Sequence, residues 1–184
     1  MSENNLSVYQ HGASDGLLMG PLMGLTAILF GASAYHAWLF LPALLGMIAV
    51  PSLAYYRMAQ TYRSFPLAAT FSALWLEGIC MFFFGSLIMA IFIYVAVKMF
   101  CPDFIVDQAR LFVDFYGQID DPQLQEIVRG IERAIATHSL PSPVAMAFEM
   151  VYFATFTGSM VSLLLALLVR AHRPPKPPKF NPEN

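Results

Sequence analysis

The amino-acid sequence predicts an all-α integral membrane protein with four membrane-spanning helices, and three observations carry that prediction. Apolar residues make up 58% of the 184 residues and charged residues only 12%, far from the balance of a water-soluble domain. Four windows, at residues 16–34, 39–56, 67–99 and 144–169, approach or exceed the roughly 20 apolar residues that cross a hydrocarbon core of about 30 Å. These runs are continuous and lack the roughly ten-residue alternation of a membrane barrel, so their backbone groups must be satisfied within helices.

The first window carries Gly16, Gly20 and Gly24 at a spacing of four, which puts three positions without side chains on one helical face and lets another backbone approach. Ala32-Ser33-Ala34 resembles a signal-peptidase site. Its leader is wrong for secretion, because residues 1–15 contain no Lys or Arg and do contain Glu3 and Asp15, so the span is kept as a permanent helix. Pro21 and Pro51 remove backbone donors from the first and second spans and permit kinks. A transporter would use such breaks to build a midplane site, but the two halves show no inverted repeat, and prolines are also tolerated structurally in membrane helices.

The third window, 67–99, would be about 50 Å long as a helix, so one end projects beyond the bilayer or the helix tilts. It carries the small pair Ser86 and Ala90. The fourth repeats the small-residue pattern with Ala154, Gly158, Ser162 and Ala166. Such rows serve packing within the chain, homodimerisation or docking to a larger complex.

Between the third and fourth windows lies an insertion at about 102–141 that reads as two short amphipathic helices. Phe104, Ala109, Leu111, Phe112 and Phe115 form the apolar side of the first, with Asp107, Arg110 and Asp114 outside it. After a break at residues 117–121, Asp121 and Pro122 supply an N-cap and a first-turn proline. Leu124, Ile127, Val128, Ile131 and Ile135 then recur at spacings of three and four. That stripe needs cover, from the first amphipathic helix, the lipid interface or a docking partner.

Basic residues set the expected orientation. Arg57 and Arg63 follow the second span, and Arg170, Arg173, Lys176 and Lys179 follow the fourth. The insertion instead holds Asp103, Asp107, Asp114, Asp120, Asp121, Glu126 and Glu132 against Arg110, Arg129 and Arg133. Both termini are therefore expected in the cytoplasm of a bacterial inner membrane, with the insertion outside. The tail from 170 to 184 is proline-rich and cationic, suited to extended conformation beside anionic lipid.

Glu77 and Glu149 are the two acidic residues inside the apolar windows, and a carboxylate in lipid is costly enough to be a candidate functional group. Glu77 lies about 31 Å from Lys98 along a helix, near the cytoplasmic interface, and Glu149 about 9 Å from Pro143, near the other. They are not expected to pair. Interfacial solvation is the plain expectation for both, with a proton or cation path as the functional one. Cys80 and Cys101, about 31 Å apart on a continuous helix, are not expected to bond to each other; Cys101 is open to an intermolecular disulfide. His36, near Trp38, and His172 read as interfacial rather than as metal ligands.

No Walker loop, dinucleotide fingerprint, zinc spacing or nucleophile elbow is present. No enzyme activity, cofactor, metal site or nucleic-acid partner is expected; the expected partners are membrane lipid, a homo-oligomer or a larger membrane complex. The order of parts resembles a four-span bacterial family common in Bacteroidota, domain of unknown function four-one-nine-nine (DUF4199). The carriers are the Gly-rich first span, the Lys98-Met99-Phe100-Cys101-Pro102-Asp103-Phe104 exit from the third, the acidic insertion, and Leu164-Leu165-Ala166-Leu167-Leu168 before basic residues. The resemblance implies an inner-membrane protein and transfers no active site. The expected role is a non-enzymatic accessory subunit of a membrane complex, with a small transporter or channel component using Glu77 or Glu149, or a lipid-organising protein, as alternatives.

Overall fold

In a computed structural model, which describes residues 8–65 and 69–172, the chain folds into six α-helices joined by short connections, with no strand among the described residues. They are α1 (Val8–Ala32), α2 (Phe40–Ser64), α3 (Phe71–Phe100), α4 (Phe104–Tyr116), α5 (Pro122–Ala136) and α6 (Pro143–Ala171). A single 3-10 turn at Ala37–Leu39 leads into α2. Helices α1, α2, α3 and α6 are long and apolar enough to cross a membrane, and the protein is a multi-pass membrane protein. The tail from Arg173 onward and Leu67, where the third window was expected to open, lie outside the described residues.

Local chemistry explains where the helices start. Thr70 and Ser142 each accept a hydrogen bond from a first-turn amide, Ala73 N at 3.3 Å and Ala145 N at 3.2 Å. Asp121 caps α5 twice, accepting from Gln123 N at 2.8 Å and Leu124 N at 3.2 Å. Such caps satisfy amides that no preceding turn can reach. Pro143 and Pro122 occupy first-turn positions, where a missing N–H costs nothing.

Helix limits differ from the apolar windows at three places. α1 begins at Val8 rather than residue 16, α2 runs on to Ser64 rather than ending at 56, and α3 opens at Phe71. Apolar windows stop at the first charge, whereas backbone hydrogen bonding continues through Asp15, Arg57 and Arg63. α1 and α2 also run through Pro21 and Pro51 as continuous helices.

The four spans form a ring in which α1 and α6 flank α3, and α2 closes the opposite side between α1 and α6. α1 runs parallel to α3 and packs on it through its glycines. A Cβ at Gly16 would lie 2.6 Å from the Met81 carbonyl oxygen and 3.2 Å from Gly85 N, and one at Gly20 would lie 2.5 Å from Ile88 Cβ. Gly24 meets Phe92 in the same way. In lipid, where apolar surface is already at home, contact between closely approaching backbones is a main source of helix association.

α6 lies antiparallel on the other flank of α3. Ser162, 0% exposed, sits against Gly78, and Gly158 leaves room for the Phe82 ring. Ala166 is 0% exposed and Ala154 packs at the edge of the core. Trp75 Nε1 donates to the Ser159 carbonyl at 3.2 Å, and the Ser86 and Thr155 hydroxyls lie 3.3 Å apart. Gly16, Gly20 and Gly24 of α1 and Gly158 and Ser162 of α6 therefore face α3. The outward surfaces of the spans remain apolar, as at Leu18, Leu45, Ile91 and Phe156, which is the pattern of helices whose solvent is lipid.

The α4–α5 hairpin lies at one end of the bundle, where Phe104 and Asp107 meet Gly31 and Tyr35 at the end of α1. Gln125 Nε2 donates to the Gly117 and Ile119 carbonyls at 3.0 and 2.9 Å, tying the start of α5 to the turn. Of the α5 stripe, Val128 is buried and Leu124, Ile131 and Ile135 are half-buried, while Ile127 is exposed. Phe104 anchors the hairpin, facing Gly31 and stacking at a tilt on Tyr35 at 6.3 Å between centroids.

Candidate functional site

At the end of the bundle opposite the hairpin, α1, α2 and α3 bring together polar side chains that the apolar windows had separated. Glu77, on α3, is 1% exposed. The Thr61 hydroxyl of α2 donates to its Oε1 at 2.7 Å. Thr61 falls there because α2 extends past residue 56. Interfacial solvation is therefore not what satisfies Glu77, whose shielding comes from the packed helices and whose partner is a hydroxyl.

Asp15 of α1 pairs with Arg57 of α2, Oδ1 to Nε at 3.4 Å, with side chains 14% and 30% exposed. The register of α1 on α3 fixes its level relative to Glu77. Gly12 sits against the Glu77 carbonyl and Cys80, and Gly16 against Met81 and Phe84, so Asp15 lies about one turn further along the bundle than Glu77. His11, one turn before Asp15, faces Phe65 at 6.3 Å between ring centroids.

Depth follows from helix geometry. Glu77 is about 13 Å from the midpoint of α3, which puts it just inside the edge of a hydrocarbon core of about 30 Å centred there. Arg57 approaches from α2 with its guanidinium. The arrangement thus holds one guanidinium and two carboxylates, the second of which has a neutral donor at hand. Such a set can exchange a proton, with Arg57 limiting the local negative charge.

Sequence reasoning missed Asp15, Arg57 and Thr61. From sequence Asp15 reads as part of the leader and Arg57 as a topology marker, because each lies one residue outside its apolar window. The available signal was the glycine row itself: Gly12 extends it by one turn toward the N-terminus, which makes Asp15 part of the packed helix. Glu149 does not join the cluster. It is exposed on the first turns of α6, at the hairpin end.

The hairpin end has its own smaller polar contact, Tyr35 Oη to Asp107 Oδ2 at 3.4 Å. Partial burial and the Asp107 carboxylate raise the Tyr35 phenol above its ordinary value. Cys80 is half-buried in α3 and Cys101 is exposed beyond its end. Among the described residues no group of three His, Cys, Asp or Glu side chains is placed to hold a metal ion.

No curated protein and no solved structure matches the chain significantly. The family model described as protein of unknown function, DUF4199, matches residues 15–171, from Asp15 of the polar cluster to the last residue of α6. The chain belongs to the DUF4199 family.

Proposed function

We propose that the chain is a small, non-enzymatic transporter or channel component in which Glu77 carries a coupled proton or cation, with Asp15, Arg57 and Thr61 setting its charge state. The observation that carries this reading is Glu77, 1% exposed within a span and held by the Thr61 hydroxyl at 2.7 Å. Burying an ionisable side chain among packed helices is expensive, and its retention there supports a working role. In a bacterial inner membrane with both termini in the cytoplasm, the cluster would open toward the cytoplasmic face.

A role as an accessory subunit draws on the external helices, with the stripe Leu124, Ile127, Val128, Ile131 and Ile135, and on the small-residue rows as contact faces; of the stripe only Ile127 is exposed. In this fold Gly16, Gly20, Gly24, Gly158 and Ser162 face α3 instead, which favours the carboxylate reading.

The test is flux in vesicles reconstituted with the purified protein, carrying an internal pH dye under an imposed pH gradient or a gradient of sodium or potassium. The wild-type chain is expected to dissipate one gradient faster than empty vesicles. Glu77→Gln should abolish that activity and Glu149→Gln should preserve it. Equal flux from wild-type and Glu77→Gln proteins would remove the chemical basis of the proposal, as would wild-type vesicles no leakier than empty ones.

A further inference from the structure

The α4–α5 hairpin leaves an apolar face uncovered. On α4, Phe104, Leu111 and Phe115 are spaced by seven and four residues and so share one side of the helix. Phe104 uses that side to pack on Gly31 and Tyr35 at the end of α1. Leu111 and Phe115 continue it but are 49% and 71% exposed. Phe115 lies about 16 Å along α4 from Phe104, beyond the roughly 5–6 Å radius of the helix on which Phe104 sits. Ile119 in the turn and Ile127 on α5 are also exposed, while Val128 beside Ile127 is buried.

We infer that this face rests on the lipid surface beside the bundle, with Leu111, Phe115 and Ile127 entering the headgroup and upper acyl region. Continuity with the lipid-facing surface of the spans argues for that occupant. Met99 and Phe100, 71% and 77% exposed, end α3 immediately before the hairpin begins. The apolar exterior of a membrane span thus leads directly into the start of α4, with three residues between them. The opposite side of the hairpin carries Arg110, Asp114, Arg129 and Arg133, all exposed, as required of helices that lie in an interface with one face in water. Carboxylates outnumber arginines in the insertion, so the contact is driven by apolar burial, not by attraction to anionic lipid. This inference is independent of the role given to Glu77.

The experiment uses the full chain in Cys80→Ala, Cys101→Ser background, in which Cys80→Ala keeps the Cβ that packs on Gly12. A polarity-sensitive fluorophore is attached at Leu111→Cys, Phe115→Cys or Ile127→Cys, and at Arg110→Cys or Arg129→Cys as water-facing controls. The proteins are reconstituted into phosphatidylcholine vesicles with and without brominated acyl chains. Labels at 111, 115 and 127 are expected to be quenched several-fold more by bromolipid than the controls, and less by aqueous iodide. Equal bromolipid quenching at both sets would overturn the inference. So would labels at 111, 115 and 127 shielded from both bromolipid and iodide, the result given by a second copy or another protein on this face.

Discussion

Replacing Gly16 by alanine tests whether the contact of α1 with α3 is as close as the structure places it. The added Cβ would stand 2.6 Å from the Met81 carbonyl oxygen, 2.9 Å from Phe84 Cβ and 3.2 Å from Gly85 N. Two of those neighbours are backbone and cannot rotate away. Carbon and carbonyl oxygen approach comfortably at about 3.3–3.6 Å, so α1 must retreat by roughly 0.7 Å or more. A gap of about 0.5–1 Å forfeits a quarter to a half of each dispersion contact, and the loss extends along the helix to Gly12, Gly20 and Gly24.

Overpacking of this kind costs about 1–3 kcal/mol, set against a gain of up to about 1 kcal/mol from replacing a helical glycine. Gly130 in α5 is the matched control, since nothing lies within 4 Å of its Cβ position. Gly130→Ala keeps only the propensity gain, about 0.5–1 kcal/mol of local helix stability. Gly16→Ala should therefore lower the midpoint of thermal unfolding, followed by circular dichroism in mild detergent, and Gly130→Ala should leave it unchanged or raise it. A Gly16→Ala protein at least as stable as the wild type would refute the close backbone contact.

Two further outcomes follow from named contacts. Asp15→Asn and Arg57→Gln should not add: with side chains 14% and 30% exposed, the pair lies between surface and buried cases, and a double-mutant cycle of unfolding free energies should give a coupling of about 1–3 kcal/mol. Additive effects would mean that the two side chains do not meet. Asp121→Ala removes the two hydrogen bonds that start α5 and should cost about 1 kcal/mol, seen as roughly five-fold faster hydrogen exchange at the first amides of α5 with α3 unaffected; equal acceleration along both helices would show that the cap is not a local device.

Much of the architecture was legible because lipid imposes a simple rule on sequence. Length and apolarity define a span whatever its neighbours, so all four apolar windows fall in long helices even where the helix limits differ, and Asp121 and Pro122 stand at the start of α5. The polar cluster was less legible. Asp15 and Arg57 look like flanking charges when each helix is taken alone, and only their opposition across α1 and α2 makes them a pair. Glu77 is visible as an anomaly, but its hydrogen-bond partner is Thr61, sixteen residues earlier on another helix, and no periodicity within α3 encodes that.

The same division separates the glycines from their partner. Spacing alone determined that Gly16, Gly20 and Gly24 form one smooth face, because 3.6 residues per turn is a property of every α-helix. That this face meets α3 rather than another copy of the chain was decided by tertiary structure, where the Met81–Gly85 backbone and the side chains of Ile88 and Phe92 match it position for position. Periodicity describes one helix at a time, and pairing is a property of two surfaces; so the sequence by itself determined the fold class, the spans and their smooth faces, and only packing decided which helices meet and which charges are carried into the membrane.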